Sequence, residues 1–182
     1  MVSITQKIKK YSDMGYTMSL FYLCYKQKRH TPYIRQYLGV KMEDERYFKK
    51  ARIIASVSDY DRTHVGCIAI YKKHIIGIGC NGEKTHPMQT YYNNFRTLDN
   101  PNKENEVLGK VHAEMMCLNS ISKLDIDFSK VHLYVYRIRK DRPFGLSKPC
   151  PACIKAIKEM GIKHIHYTTN DGYAYEKILV NV

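Results

Sequence analysis

The sequence predicts an α/β fold around a mixed sheet of about five strands. Three observations carry that prediction. Two β-branched runs, Val65 to Tyr71 and His74 to Cys80, are separated only by Lys72-Lys73, which reads as a hairpin closed by a two-residue turn. Helical and strand-like stretches alternate around it, in the order α-β-β-α-β-α-β from Glu43 onward. Asn170-Asp171-Gly172 marks a tight turn, so Tyr173 to Val180 can return as a last strand antiparallel to Ile162 to Thr168.

Taken in order, residues 1 to 42 read as an added basic segment, rich in tyrosine (Tyr11, Tyr16, Tyr22, Tyr25, Tyr33, Tyr37), ahead of a main domain over residues 43 to 182. Its eight Lys and Arg face Asp13 alone. Two readings stand for it: tyrosines that stack bases along a nucleic-acid backbone, or tyrosines that pack a helical extension onto the main domain. Glu43, Asp44 and Glu45 then supply acids to a first helical turn, and Tyr47, Ala51 and Ile54 recur at helical spacing through Ser58.

After the hairpin, residues 82 to 111 carry Gly82, Pro87, Pro101, Gly109 and several Asn, and read as a long irregular connection. Its Lys84, Thr85, His86, Tyr91, Tyr92 and Arg96 suit substrate contacts. A helix from about His112 to Ser122 follows, then a strand from Val131 to Ile138, a loop, a helix from Cys150 to Met160 and the final strand pair.

Charge and cysteine usage narrow the function. The net charge of +13 attracts phosphate groups and points to a phosphorylated substrate or partner. The longest apolar stretch near the start, Met18 to Tyr25, is too short to cross a bilayer, and no small-residue cleavage site follows it. No membrane partner is expected, and a cytoplasmic location is. The six cysteines, at 24, 67, 80, 117, 150 and 153, are then expected to stay reduced. Cys67, Cys80 and Cys117 sit in apolar runs, where a thiol behaves as a small hydrophobe.

The chemistry is concentrated in His112-Ala113-Glu114 and Pro149-Cys150-Pro151-Ala152-Cys153, each placed where a predicted helix begins. Residues two apart in a helix interior point to nearly opposite sides, so His112 and Glu114 can serve one centre only at a helix end. The amino end of the second helix favours Cys150 and Cys153 as thiolates, the form that binds metal. One imidazole and two thiolates are three ligands, and zinc completed by a water is the arrangement of a catalytic site. Zinc brings the pKa of such a water from near 16 to about 7, and Glu114 is left free to accept a proton and hand it on.

His-x-Glu followed by Pro-Cys-x-x-Cys is the signature of zinc nucleobase deaminases. Over about residues 43 to 180, including the 34 residues between Glu114 and Pro149, the chain resembles the cytidine and deoxycytidylate deaminase superfamily. The resemblance implies a three-layer α/β/α cytidine-deaminase-like fold and one catalytic zinc on His112, Cys150 and Cys153. It also implies Glu114 as the catalytic proton shuttle and Ala113 as the residue whose backbone N–H contacts the base.

Arg62 with Val65-Gly66-Cys67, and Gly79-Cys80-Asn81-Gly82, resemble deoxycytidylate deaminase motifs, which makes Asn81 a sugar contact or, alternatively, a turn residue. Ser147 lies where family members place a hydroxyl near the base, and it also suits a helix cap. His86 stands open as a base or phosphate contact, a further metal ligand with Cys80, or a loop residue. His164 and His166 share one strand face, expected to be solvated or helix-covered, and Tyr167 either stacks on a base or packs the core.

Some features depart from the deoxycytidylate pattern. Lys84-Thr85-His86-Pro87 replaces a small glycine-containing loop, and the antiparallel final pair resembles free-nucleoside and nucleic-acid-directed branches. Free-nucleoside enzymes, however, carry Cys where this chain has His112. The expected reaction is hydrolytic conversion of cytosine to uracil in a (deoxy)cytidine nucleotide. The alternatives are editing of cytosine or adenine in single-stranded DNA or RNA, and a zinc-bearing module without catalysis, against which Glu114 argues. A nucleotide substrate is the expected partner, with nucleic acid through the basic amino-terminal segment as the alternative and a homo-oligomer left open.

Overall fold

A computed structural model describes residues 42–97, 110–142 and 144–179. The segment expected as a basic extension lies outside the described residues except for Met42. Helix α1 spans Met42–Ser56, and strands β1 (His64–Tyr71) and β2 (His74–Cys80) form the hairpin. Helices α2 (Pro87–Thr97) and α3 (Ala113–Ile121), a 3-10 turn at Phe128–Lys130, and strand β3 (His132–Ile138) follow. Helix α4 (Pro151–Glu159) and strands β4 (His164–Thr168) and β5 (Tyr173–Lys177) complete the described chain.

The sheet runs β2-β1-β3-β4-β5. Only β3 and β4 are parallel, joined through α4, and the β4–β5 pair is antiparallel as its short connection requires. Thr169 donates its N–H to the Gly172 carbonyl at 2.8 Å to close that connection.

Alternation along β1 and β3 sorts the core into two layers. Cys67, Ala69, Leu133 and Val135 face α3 and α4, whereas Ile68, Ile70, Tyr134 and Tyr136 face α1. On α1 the buried stripe is Tyr47, Phe48, Ala51 and Ala55, with Ile54 only partly buried. The three-layer arrangement is therefore present.

Two glycines set how closely the helices approach. A Cβ on Gly66 would stand 2.3 Å from the Ala51 carbonyl oxygen of α1, and one on Gly79 would stand 2.3 Å from the Cys117 nitrogen and 2.4 Å from the Ala113 oxygen of α3. The absent side chain of Gly79 thus lets the first turn of α3 press against β2. The β1–β2 turn puts Lys72 (φ 48°) and Lys73 (φ 69°) in the left-handed region, as a two-residue hairpin demands. Lysine adopts it at a cost of roughly 1 kcal/mol per residue or more, and the Tyr47 hydroxyl holds the turn by donating to the Lys73 carbonyl at 3.1 Å.

Two expectations are corrected. The connection 82–111 is not irregular throughout, because Pro87–Thr97 forms α2. Proline at the first helical position needs no N–H partner, and Met88, Tyr92 and Phe95 recur at i, i+4 and i+7. The second correction concerns β4, which begins at His164 rather than Ile162. There Gly161 (φ 84°) donates to the Lys158 carbonyl at 2.9 Å and Ile162 to the Ile157 carbonyl at 3.1 Å, closing α4 in a Schellman motif that consumes those residues. No helix among the described residues is long and apolar enough to cross a membrane.

Candidate functional site

His112 is the N-cap of α3 (φ −86°, ψ 150°) and Cys150 the N-cap of α4 (φ −72°, ψ 167°). Neither side chain turns back to cap its own helix. Each is therefore free to project forward, and they meet. Cys150 Sγ lies 3.5 Å and Cys153 Sγ 3.3 Å from His112 Nδ1. Two ligands on a tetrahedral zinc, with bonds of about 2.0 Å to nitrogen and 2.3 Å to sulfur, stand roughly 3.5 Å apart, so this donor set fits the ion. Ligand atoms of the three residues all lie within 4.8 Å of one another, and among the described residues this is the one such group of three or more. His86 and Cys80 form no second group of that kind.

The electrostatics suit a cation. Cys150 is pushed down to about 4, chiefly by the hydrogen bond from Cys153 and further by His112, against the effect of its burial. Burial, then the neighbouring Cys150, raises Cys153 well above the usual thiol range. The metal-free pair thus keeps one proton, which a bound cation would displace. Burial opposes charge on His112, yet the hydrogen bond it donates to the Cys150 thiolate and the Glu114 carboxylate outweigh it and raise its pKa. Glu114, in the first turn of α3, is 5 % exposed. Burial raises its carboxyl pKa, His112 works the other way, and Cys150 adds to the rise.

A short ladder leads the chain into His112. Gly82 N–H bonds the Val111 carbonyl at 3.2 Å, Val111 N–H bonds the Lys84 carbonyl at 3.1 Å, and Thr85 bridges Lys110. The His112 N–H itself is accepted at 3.0 Å by Gln89 Oε1, and Gln89 Nε2 donates to Asn93 Oδ1 at 2.7 Å. Gln89 is fully buried. It was not among the residues expected from sequence. The Gln89–Asn93 spacing of one helical turn signals a polar pair on one face of a helix, but only once α2 is recognised.

The other expected site residues make these contacts. Ala113 is the first residue of α3 and is buried, so its N–H is among those a helix start leaves without an intrahelical partner. Asn81 is buried, with Oδ1 accepting from Ser58 Oγ at 2.8 Å and Val65 N–H at 2.7 Å, and Nδ2 donating to the Thr63 carbonyl at 2.7 Å. His86 caps α2: its Nδ1 accepts the Met88 N–H at 3.2 Å and its carbonyl accepts the Thr90 N–H at 3.0 Å. That bond leaves the proton of a neutral His86 on Nε2.

Ser147 does not cap α4, whose N-cap is Cys150. Its Oγ donates to the Val135 carbonyl at 2.8 Å and accepts the Thr168 N–H at 2.9 Å, tying the loop before the cysteines to the middle of β3 and the end of β4. Tyr167 belongs to the core, with Lys148 Nζ 5.9 Å from its ring centre. His166 is covered by α1, as one of the two expectations for that face had it: its Nδ1 lies 4.0 Å from Asp44 Oδ1.

Comparison with known proteins agrees with this architecture. The sequence profile of the "Cytidine and deoxycytidylate deaminase zinc-binding region" matches residues 41–169. Among solved structures, the cytidine deaminase from Burkholderia pseudomallei is 16 % identical, with 73 % of this chain and 91 % of that chain covered and a TM-score of 0.50. The apo dCMP deaminase of cyanophage S-TIM5 is 27 % identical, with 70 % and 84 % covered and a TM-score of 0.48. Among curated proteins none matches. The chain belongs to the cytidine and deoxycytidylate deaminase family, and is accordingly a zinc-dependent hydrolytic deaminase of that type.

Proposed function

We propose that the chain converts cytosine to uracil in a free (deoxy)cytidine nucleotide, with dCMP as the reference substrate. In this reading His112, Cys150 and Cys153 hold the zinc and Glu114 moves the protons. The observation that carries it is the convergence of three ligand atoms within 4.8 Å at two helix starts, with a buried carboxylate two residues beyond the histidine. The family's description names cytidine and deoxycytidylate, and the net charge of +13 favours a phosphorylated substrate.

Zinc bound there supplies the acidity that turns water into a nucleophile at neutral pH. Glu114 would accept a proton from the attacking water and deliver it to a ring nitrogen as the C4–O bond forms, then pass the proton of the new C4 hydroxyl to the exocyclic amine as the C4–N bond breaks, so that one water is consumed and one ammonia released. In this reading the Ala113 N–H, at the positive end of α3, donates to the base. Asn81 retains one Nδ2 proton beyond its bond to Thr63, and that proton is its means of contacting the sugar. His86 has Nε2–H to offer base or phosphate, and the Ser147 hydroxyl, whose proton goes to the Val135 carbonyl, serves the base as an acceptor. The five described cysteines form no disulfide, which supports a cytoplasmic location, and participation in nucleotide metabolism follows from the proposed substrate.

The second reading, deamination of cytosine or adenine in single-stranded nucleic acid, is favoured by residues 1 to 42, whose eight basic side chains face one acid. Mass spectrometry over cytidine, CMP, dCMP, dCTP, single-stranded DNA and tRNA decides between them. Turnover of dCMP, retained on deleting residues 1 to 41, is expected. Turnover confined to a polynucleotide and lost with that deletion would overturn the first reading in favour of the second.

A further inference from the structure

We infer that Gln89 is the positioning residue of the zinc centre, acting on His112 through its backbone rather than its ring. An N-cap residue has extended dihedrals, and its own N–H lies outside the ladder of the helix it starts. At His112 that N–H, which orients the residue and so aims its Cα–Cβ bond, ends on Gln89 Oε1 at 3.0 Å. Gln89 is fully buried, where a primary amide is costly unless its polar atoms are engaged. Its two ends are used, Oε1 by His112 and Nε2 by Asn93 one helical turn further along α2.

Helix α2 is itself anchored to the helix that carries the two thiols. Tyr92 donates its hydroxyl to Glu159 near the end of α4 at 2.5 Å, and Lys155 of α4 lies 5.3 Å from the centre of the Phe95 ring. One helix therefore holds the histidine from its backbone side and the cysteine-bearing helix by its flank. Partners that hydrogen-bond a ligating side chain are worth about 10–100-fold in metal affinity, and we take the same range for this backbone anchor.

The inference rests on zinc ligation by His112, Cys150 and Cys153 and not on the choice of substrate, so metal binding tests it directly. Zinc affinity is measured by competition with a chromophoric chelator, and ligand geometry by the visible spectrum of the cobalt(II)-substituted protein. Gln89→Met removes the acceptor and keeps the volume. It is expected to lower zinc affinity about 10–100-fold and to shift or broaden the cobalt bands.

Gln89→Glu keeps an acceptor for the His112 N–H and is expected to lose less zinc affinity than Gln89→Met, with burial of the new carboxyl setting the remaining cost. A folded Gln89→Met protein with wild-type zinc affinity and spectrum overturns the inference, as does a Gln89→Glu protein that loses as much as Gln89→Met. If Gln89→Met fails to fold, Gln89→Asn, with its acceptor withdrawn by one methylene, is held to the same two readouts. Wild-type protein that takes up no zinc would instead sink the proposed metal centre, an outcome no Gln89 variant can mimic.

Discussion

The side-chain oxygen of Asn81 accepts the backbone N–H of Val65 at 2.7 Å, so a residue just past β2 holds the start of β1. The same oxygen takes the Ser58 hydroxyl at 2.8 Å, and the amide nitrogen spends one proton on the Thr63 carbonyl. A substrate-facing role is thereby restricted to one remaining proton, and the residue has a structural role whatever the substrate.

Asn81→Ala should then cost both stability and activity. Losing the side-chain partners of the Val65 N–H and the Thr63 carbonyl costs roughly 1–3 kcal/mol, read as a lower denaturant midpoint. Asn81→Asp restores the acceptor and should recover most of the midpoint but not KM. Equal midpoints for wild type and Asn81→Ala would show that this network does not anchor the hairpin.

Glu114→Gln keeps the shape of a buried side chain and removes its ability to cycle a proton. Zinc content measured by metal analysis should equal that of wild type, while kcat falls about 10²–10⁴-fold. Turnover near wild type would take Glu114 out of the proton path.

Acid should weaken the α1 face of the sheet. His132 Nδ1 lies 3.0 Å from His166 Nε2, His132 stacks on His164 at 4.3 Å, and His166 stacks on Tyr134 at 4.2 Å. Asp44 of α1 and Tyr175 of β5 also face this cluster, and Lys163 and Lys177 act on His164. Burial, helped by the other two imidazoles and opposed by Asp44, lowers His166 from 6.5 to about 4. Burial also lowers His132 and His164. A histidine with a depressed folded pKa binds fewer protons folded than unfolded, so its contribution is complete above 6.5 and is lost as pH falls from there toward 4. For His166 the loss at full titration is on the order of 3 kcal/mol. Denaturant midpoints at pH 7 and pH 5 should differ in wild type and differ less in His166→Phe. An equal difference in both would place the acid sensitivity elsewhere.

Gly79→Ala should move the site without touching it. Its Cβ would stand 2.3 Å from backbone of α3, which must shift and carry the His112 N-cap with it. Overpacking of this kind costs about 1–3 kcal/mol or more, and zinc affinity should fall alongside. Gly161→Ala is the contrast, since its φ of 84° makes alanine strained but its nearest neighbour is the Phe128 side chain at 3.9 Å. It should destabilise by about 1 kcal/mol with zinc affinity unchanged. Unaltered zinc binding in a folded Gly79→Ala protein would separate the α3 position from metal affinity.

Most of the sheet was legible because its signals are local. A two-residue gap between β-branched runs forces a hairpin, and the short step from Thr168 to Tyr173 leaves no room for a crossover helix. Helix α2 was hidden among prolines, asparagines and tyrosines that together read as a loop, although Pro87 and the Met88-Tyr92-Phe95 spacing mark it in retrospect. The start of β4 is obscured in the sequence for a similar reason. Ile162 is β-branched and fully buried, yet its N–H closes α4 rather than entering the sheet.

The sequence by itself determined the donor set, one imidazole and two thiols with a carboxylate alongside, because two motifs at helix starts specify residue type and local direction together. Only the tertiary structure decided what surrounds that set. Asn81 bonds Ser58 and Val65, Ser147 bonds Val135 and Thr168, His86 caps α2, and Gln89 holds His112 from 23 positions away. Amide and hydroxyl groups accept almost any partner, so their assignments follow from which backbone groups packing leaves beside them. The glycines at 66 and 79, by letting α1 and α3 lie against the sheet, settle much of that placement.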